Sequence, residues 1–182
     1  MKKPSTRTIL HFAVLIVAML SIAAQAPILS SVVAESVPSV ELNADDLGPR
    51  PIEQLTSQVI TRDYAHAWQA MAEALDSNGK DLLDASFTGW AKENLSNLIA
   101  QQERTGIHTH YVDHGHKLVA LFYSPAGDAM QLRDQAQLEM QIFDGHKLID
   151  SEQVTLQYMV LMTPGADRWL VRDLETIPEA EH

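Results

Sequence analysis

The sequence contains no cysteine in its 182 residues. Disulfide bonds and thiolate metal sites are therefore excluded, and the absence fits an oxidising compartment without requiring one. The motifs of several catalytic classes are also missing, because the chain has no phosphate-cradling glycine loop, no nucleophile elbow and no dinucleotide-binding fingerprint. At 46% hydrophobic and 20% charged residues, the composition is that of a globular protein rather than a disordered chain.

Basic residues are scarce. The chain has 13 Lys and Arg against 24 Asp and Glu, and removing the three basic residues of the N-terminal leader leaves ten, so the rest carries about −14. Because phosphate binding needs clustered cations, we expect no nucleic-acid partner and no docking on an anionic lipid surface. The simplest interpretation is that an acidic surface keeps an exported protein in solution.

The leader, residues 1–34, has the layout of a secretory signal peptide. Three basic residues precede an apolar run and small residues follow it; the basic residues are Lys2, Lys3 and Arg7. The alternative is an uncleaved signal anchor, because an apolar span over residues 9–29 is roughly the 20 residues that a bilayer requires. Either version sends the remainder across the membrane. We therefore expect an exported, periplasmic or otherwise extracytoplasmic protein, secreted or anchored by its N-terminus.

Two helices are predicted in the first half of the exported part. Residues 35–54 contain three prolines and one glycine without a sustained period, which predicts a flexible linker. Apolar residues then recur at helical spacing over 55–77, and a second helix is predicted over 86–104, with Ser86 as its N-cap. The inner side of that second helix is predicted to carry Phe87, Trp90, Ala91, Leu95, Leu98, Ile99 and Gln102.

Four strands are predicted in the second half. Apolar and polar residues alternate strongly from Met130 to Ile142, and similar runs cover 116–124, 147–163 and 168–175. Pro, Gly and Asp residues separate the runs, which is typical of tight turns in an antiparallel meander. Both helices are expected to cover one face of this curved sheet, giving an α+β domain over 55–178 and a short disordered tail, residues 179–182.

That element order resembles the nuclear transport factor 2-like superfamily. The residues that carry the resemblance are Tyr64 to Leu75, Phe87-Thr88-Gly89, Phe122-Tyr123-Ser124, Tyr158-Met159-Val160 and Arg168-Trp169-Leu170-Val171. The resemblance implies a cone, also called cystatin-like, in which two long helices lie on the concave face of four antiparallel strands. It is closer to versions found in membrane-tethered assembly proteins, such as type IV secretion components and the lumenal region of chloroplast-division proteins.

The superfamily hosts isomerases, dehydratases, binding modules and scaffolds, so it leaves the function open. We expect a non-catalytic binding or scaffold domain that needs no cofactor and acts through a protein partner or self-association. The alternative is a small-molecule-binding or isomerase/dehydratase-like enzyme with an open pocket. A cone filled by Trp68, Trp90 and Phe87 would argue against the enzyme.

Asp134 is the candidate catalytic residue of that alternative. It lies on the apolar parity of its strand, where burial would raise the pKa of the carboxyl and suit it to act as a general base. Tyr64, Tyr158 and His116 are the candidates to complete the site. The competing interpretation is structural: Asp134 pairs with Arg133 or Arg172, or a bulge turns it outward.

A histidine tract offers a candidate metal site. Four histidines within nine residues share one parity: His108, His110, His114 and His116. The first two could bind one zinc, copper or nickel ion with Asp113 nearby. However, the spacing matches no established zinc signature and the tract is predicted to be a loop leading into the first strand. Histidines in solvent on an edge strand explain the pattern more simply.

Overall fold

The computed structural model describes residues 37–178 as one α+β unit. Within that range there are two α-helices, α1 (Gln54–Ser77) and α2 (Gly89–Thr105), with a short 3-10 helix at Lys80–Leu83 between them. The strands are β1 (Val40–Asn43), β2 (Gly48–Pro49), β3 (Ile107–Tyr123), β4 (Met130–Asp144), β5 (Lys147–Pro164) and β6 (Trp169–Ile177). The predicted leader, residues 1–34, and the predicted tail, residues 179–182, lie outside the described residues.

All six strands belong to one mixed sheet. β3, β4, β5 and β6 pair in sequence order, each antiparallel to the next, as the alternation and the tight turns predict. β1 and β2 pair with β3 in parallel register. The prediction of four antiparallel strands is therefore incomplete, because it lacks the two parallel strands that precede α1.

Part of the predicted linker is β-structure. In β1, Val40 and Leu42 are half-buried against the core, whereas Glu41 and Asn43 are exposed. The backbone N–H of His116 in β3 donates to the C=O of Ser39 at 2.9 Å. An alternation of four residues is the shortest that indicates a strand, and here it lies among prolines that favour a linker. Its pairing partner also comes after both helices, so local sequence carries no trace of the pairing.

The bounds of α1 agree closely with the prediction of 55–77. Asn78 takes a left-handed φ of 56°, and its backbone N–H donates to the C=O of Ala74, as an Asn-Gly pair after a helix predicts. Residues at helical spacing form the buried face of α1: Ile60, Tyr64, Ala67, Trp68, Met71, Ala74 and Leu75. This face packs on the sheet.

The second helix begins later than predicted. Ser86 is not its N-cap; instead the backbone of residues 86–88 is joined to β6, with the N–H of Thr88 donating to the C=O of Val171 at 2.9 Å. α2 then buries Ala91, Leu95, Ile99 and Gln102. The predicted inner positions of Trp90 and Leu98 are wrong, since these side chains are 65% and 44% exposed. Tertiary pairing with β6 decides where α2 starts.

The core lies between the helices and one face of the sheet, called the inner face below. Alternate residues of each strand point to it, and the opposite, outer face carries the polar residues of β4. The fully buried strand residues of the inner face are Leu118, Met130, Leu132, Ala136, Leu138, Val160, Met162 and Val171. Two polar residues lie among them, His116 and Asp134, and both are also buried.

Candidate functional site

Asp134 is enclosed at the centre of the inner face, where its exposed fraction is 0%. Its Oδ2 atom accepts a hydrogen bond of 2.8 Å from the hydroxyl of Tyr64 and one of 2.8 Å from Nδ1 of His116. The structural alternative predicted from the sequence, in which Asp134 pairs with an arginine or turns outward at a bulge, is therefore wrong. Arg133 points to the outer face, Arg172 makes no ion pair with Asp134, and no bulge turns the carboxylate outward.

His116 connects Asp134 to a second carboxylate. Nε2 of His116 lies 2.7 Å from Oδ2 of Asp113, and the imidazole side chain is fully buried. Both partners are carboxyl groups, and with both of them ionised each ring nitrogen donates, so the ring is an imidazolium. Burial disfavours that charge, but the hydrogen bonds to Asp113 and Asp134 and their negative charges outweigh it and raise the pKa of His116 to about 9.

A β-bulge creates this arrangement. Residues 107–115, predicted to be a loop, belong to β3, and the register of β3 on β4 shifts between Asp113 and Gly115. Gly115 has a φ of 127°, and its N–H donates to Oδ1 of Asp113 at 2.7 Å. One extra residue reverses the alternation of side chains, so His116 turns inward while His114 is exposed. The four histidines therefore do not share a face.

Aromatic rings close the cluster on the α1 side. The ring of Trp68 lies 4.3 Å from that of His116, within range for a cation–π contact with the imidazolium. Tyr158 is the cross-strand neighbour of Asp134 but contacts Trp68 rather than the carboxylate, at 5.5 Å between ring centroids. Burial is the main cause that raises the pKa of Tyr64 and of Tyr158 well above the ordinary value.

The structure thus brings together three of the four predicted site residues, Asp134, Tyr64 and His116, and places Tyr158 beside them. Sequence reasoning missed the contributions of Trp68 and Asp113 to this cluster. Trp68 was predicted only as an interior residue, and Asp113 only as a neighbour of the histidine tract. The bulge that joins Asp113 to His116 has one sequence signal, Gly115, which is too common a residue to identify it.

The interior around the cluster is nearly filled. A gap of about 160 Å³ lies between α1, the segment before α2 and β6, and it has no room for a water-sized sphere. Its lining is mostly apolar: Tyr64, Ala67, Trp68, Met71, Phe87, Val171 and Leu174. Two buried side-chain polar atoms in the described part of the chain lack a hydrogen-bond partner, Oδ1 of Asp134 and Nε1 of Trp68. In this arrangement the carboxylate of Asp134 is closed off from solvent.

The two candidate metal ligands meet a carboxylate. Nδ1 of His108 lies 2.8 Å from Oδ1 of Asp76, and Nδ1 of His110 lies 3.3 Å from Oδ2 of the same residue. The other ring nitrogen of His108 donates to the C=O of Gly145 at 2.9 Å. Across residues 37–178, no group of three or more His, Asp or Glu side chains is arranged to hold a metal ion. The contacts of His108 and His110 join the end of α1 to the hairpin between β4 and β5.

Comparison with known proteins finds solved structures with a similar fold. The intermembrane space region of chloroplast protein ARC6 is similar to this chain, with a TM-score of 0.60 and 10% identity over 71% of this chain and 98% of that one. At this identity the likeness shows a shared fold alone. No family model matches the sequence, and no curated protein matches it.

Two other similar structures come from bacteria. One is a protein of the NTF2-like family from Streptomyces avermitilis, with a TM-score of 0.44 and 11% identity over 70% of this chain and 100% of that one. The other is a protein of unknown function with a cystatin-like fold from Nostoc punctiforme, with a TM-score of 0.40 and 12% identity over 70% and 96%. Structures of the superfamily that the sequence resembles are thus among the matches. These TM-scores are too low to say anything of function.

Within the described residues, no helix combines the length and the apolar character needed to cross a membrane.

Proposed function

We propose that this chain is an exported or membrane-anchored binding or scaffold domain that acts through its surface and performs no catalysis. The observation that carries the proposal is the complete burial of Asp134 beneath α1. A general base must lie within hydrogen-bond reach of the substrate proton that it removes. The two donors on Asp134 and the packed rings around it leave no such position.

The buried cluster then has a structural role. Asp113, His116, Asp134 and Tyr64 link β3, β4 and α1 through three hydrogen bonds of 2.7–2.8 Å. Buried ionic groups with hydrogen-bonded partners favour one arrangement of the core over others, because any alternative leaves a charge unpaired. We infer that this cluster sets the position of α1 on the sheet.

The location outside the cytoplasm rests on the leader. Residues 1–34 carry the charge and hydropathy pattern of a signal peptide or signal anchor. ARC6, whose intermembrane space region shares the fold, supplies one example of this fold in a compartment bounded by membranes. We extend that arrangement to this chain, with its two helices on the concave face of the antiparallel strands and its sheet available to a protein partner.

The test separates a surface role from an interior one. The tagged full-length chain is cross-linked in intact cells of its source, and bound proteins are quantified by mass spectrometry for wild type and Tyr64→Phe. The variant removes the hydroxyl that reaches Asp134 and leaves the outer surface unchanged. We expect both chains, at equal folded amounts, to recover the same partner in the same yield. The proposal would be contradicted if Tyr64→Phe still captured the partner but no longer replaced the wild-type protein in a strain that lacks it.

The alternative, a small-molecule-binding site or an isomerase/dehydratase-like enzyme with Asp134 as base, is favoured by one observation. Tyr64 and His116 converge on one oxygen of Asp134, and the other oxygen has no partner. The indole N–H of Trp68 is a direct probe, because it is buried and unpaired beside the same cluster. If small carbonyl compounds shift the NMR signal of the Trp68 indole N–H and not that of exposed Trp90, the small-molecule site is supported. If neither signal shifts, the small-molecule site is ruled out.

A further inference from the structure

A groove of about 600 Å³ crosses the outer face of the sheet, on the opposite side from Asp134. It follows two adjacent cross-strand rows through β1, β3, β4 and β5. One row contains Glu41, Lys117, Gln135 and Gln157, and the other contains Asn43, Val119 and Arg133. Alternation along β4 explains the placement, since the neighbours of buried Asp134 must point outward.

Two cations in the groove have no acidic partner. Residues 37–178 contain ten Lys and Arg against 21 Asp and Glu. Five of those ten form ion pairs, whereas Lys117 and Arg133 form none with any described residue. The cross-strand neighbour of Lys117 in β1 is Glu41, and even these two lie beyond ion-pair distance. Lys117 and Arg133 occupy diagonal positions in the two adjacent rows, and in an acidic domain two unpaired cations in one groove are available to an anionic group.

The remaining side chains favour a peptide over other anionic partners. Asn43, Gln135 and Gln157 present amide N–H and C=O groups, which match the donors and acceptors of a peptide backbone. No aromatic side chain lines this groove, so neither nucleobases nor sugar rings have a surface to stack on. Two cations beside Glu41 are also too few for a chain of phosphates.

The dimensions limit the length of the bound segment. The groove spans four strands, and neighbouring strands lie about 4.8 Å apart, so its length is about 14 Å. An extended peptide advances about 3.3 Å per residue, so about four or five residues fill it. Long acidic runs are disfavoured, because Glu41 and the net negative charge of the domain repel them.

We propose that this groove binds an extended segment of a partner protein that carries a single carboxylate, held by Arg133 and Lys117. Arg133 offers a planar pair of donors to the carboxylate, Lys117 a second cation, and the three amides bind the backbone on either side. This inference rests on the proposed binding role and names the chemistry of the segment that the domain recognises.

The probe is the peptide acetyl-Ala-Gln-Glu-Gln-Ala-amide with a fluorescent label, compared with the same peptide in which Gln replaces Glu. Binding to the purified full-length chain is followed by fluorescence anisotropy. We expect the Glu peptide to bind about fivefold or more tightly than its neutral counterpart, since a paired carboxylate is worth about 1 kcal/mol. Arg133→Gln and Lys117→Gln should each remove most of that preference.

Arg172→Gln is the matched control. Arg172 is an exposed arginine of β6 that forms no ion pair with described residues and lies beside Gly89, outside the groove. It should keep the wild-type preference, and circular dichroism verifies the fold of all three variants. Equal binding of the two peptides to wild type, or equal losses in Arg172→Gln and Arg133→Gln, would overturn the proposal. Partner capture in cells would still stand in that event, so the two proposals fail separately.

Discussion

At the scale of single residues, the pairing of His116 with two carboxylates is the feature with the largest expected effect. Its side chain is fully buried, and its ring nitrogens lie 2.7 and 2.8 Å from Asp113 and Asp134. A buried charge that loses its partner is strongly destabilising. The cluster therefore makes the stability of the core depend on the protonation of one imidazole.

We predict that the free energy of unfolding falls between pH 6.5 and pH 9. The pKa of His116 is raised from 6.5 to about 9 on folding, so the folded state binds the proton more tightly than the unfolded state. The contribution, of order 3 kcal/mol, is fully present below pH 6.5 and is lost as the pH rises through 9. Urea denaturation at a series of pH values measures it.

The exposed His146 supplies the control for that prediction. His146→Gln should retain the pH dependence, whereas His116→Gln, if it folds, should lose it. If His116→Gln does not fold, the pH dependence of the wild-type stability tests the prediction by itself. A stability that is flat from pH 6.5 to 9 would rule out the imidazolium.

We also predict that Tyr64→Phe destabilises the domain by about 2 kcal/mol, the typical cost of removing a buried hydrogen bond to a charged group. The lost bond is the 2.8 Å contact from the Tyr64 hydroxyl to Asp134. Tyr111→Phe is the control, because among the described residues the Tyr111 hydroxyl makes no hydrogen bond; its cost should stay within about 0.5 kcal/mol. Thermal and urea unfolding measure both, and equal costs would contradict the role of Tyr64.

At the scale of helices and strands, Gln102 joins α2 to the end of α1 and to β3. Its Nε2 donates to the C=O of Leu75 and to Oδ1 of Asn78, both at 3.0 Å, and its Oε1 accepts from the hydroxyl of Thr109. The Gln102 side chain is buried, so these groups depend on it for their hydrogen bonds. Sequence periodicity predicted the inward direction of Gln102 but not its partners.

We predict that Gln102→Ala lowers the free energy of unfolding by about 2 kcal/mol or more, because it leaves buried polar groups without partners. The neighbouring Gln101 is exposed on the same helix, and Gln101→Ala should change stability by less than about 0.5 kcal/mol. Chemical denaturation of both variants gives the comparison. Similar losses of stability in the two variants would mean that the Gln102 hydrogen bonds make no net contribution to the free energy of unfolding.

At the scale of the whole molecule, the distribution of charge and the leader predict export. A C-terminal fusion to alkaline phosphatase, which is active only after export, should be active, and a fusion to β-galactosidase should not. Replacing Lys2, Lys3 and Arg7 with Glu should reduce the phosphatase signal severalfold, because the positive segment sets the orientation of the leader. An active β-galactosidase fusion in the wild type would contradict export.

The sequence by itself determined the α+β class, α1, the order of the four antiparallel strands and the inward direction of Asp134. These features repeat locally, at 3.6 or 2 residues, and a short window contains the whole signal. The lengths of β4 and β5 and the turn at Asp144-Gly145 follow from such windows.

Only the tertiary structure decided the addition of β1 and β2, the start of α2, and the pairing of His116 with Asp113 and Asp134. Each depends on contacts between segments far apart in the chain, or on one extra residue in a strand that reverses which side faces the core. The outer groove arises in the same way, because Lys117 and Arg133 become diagonal neighbours only when β3 pairs with β4.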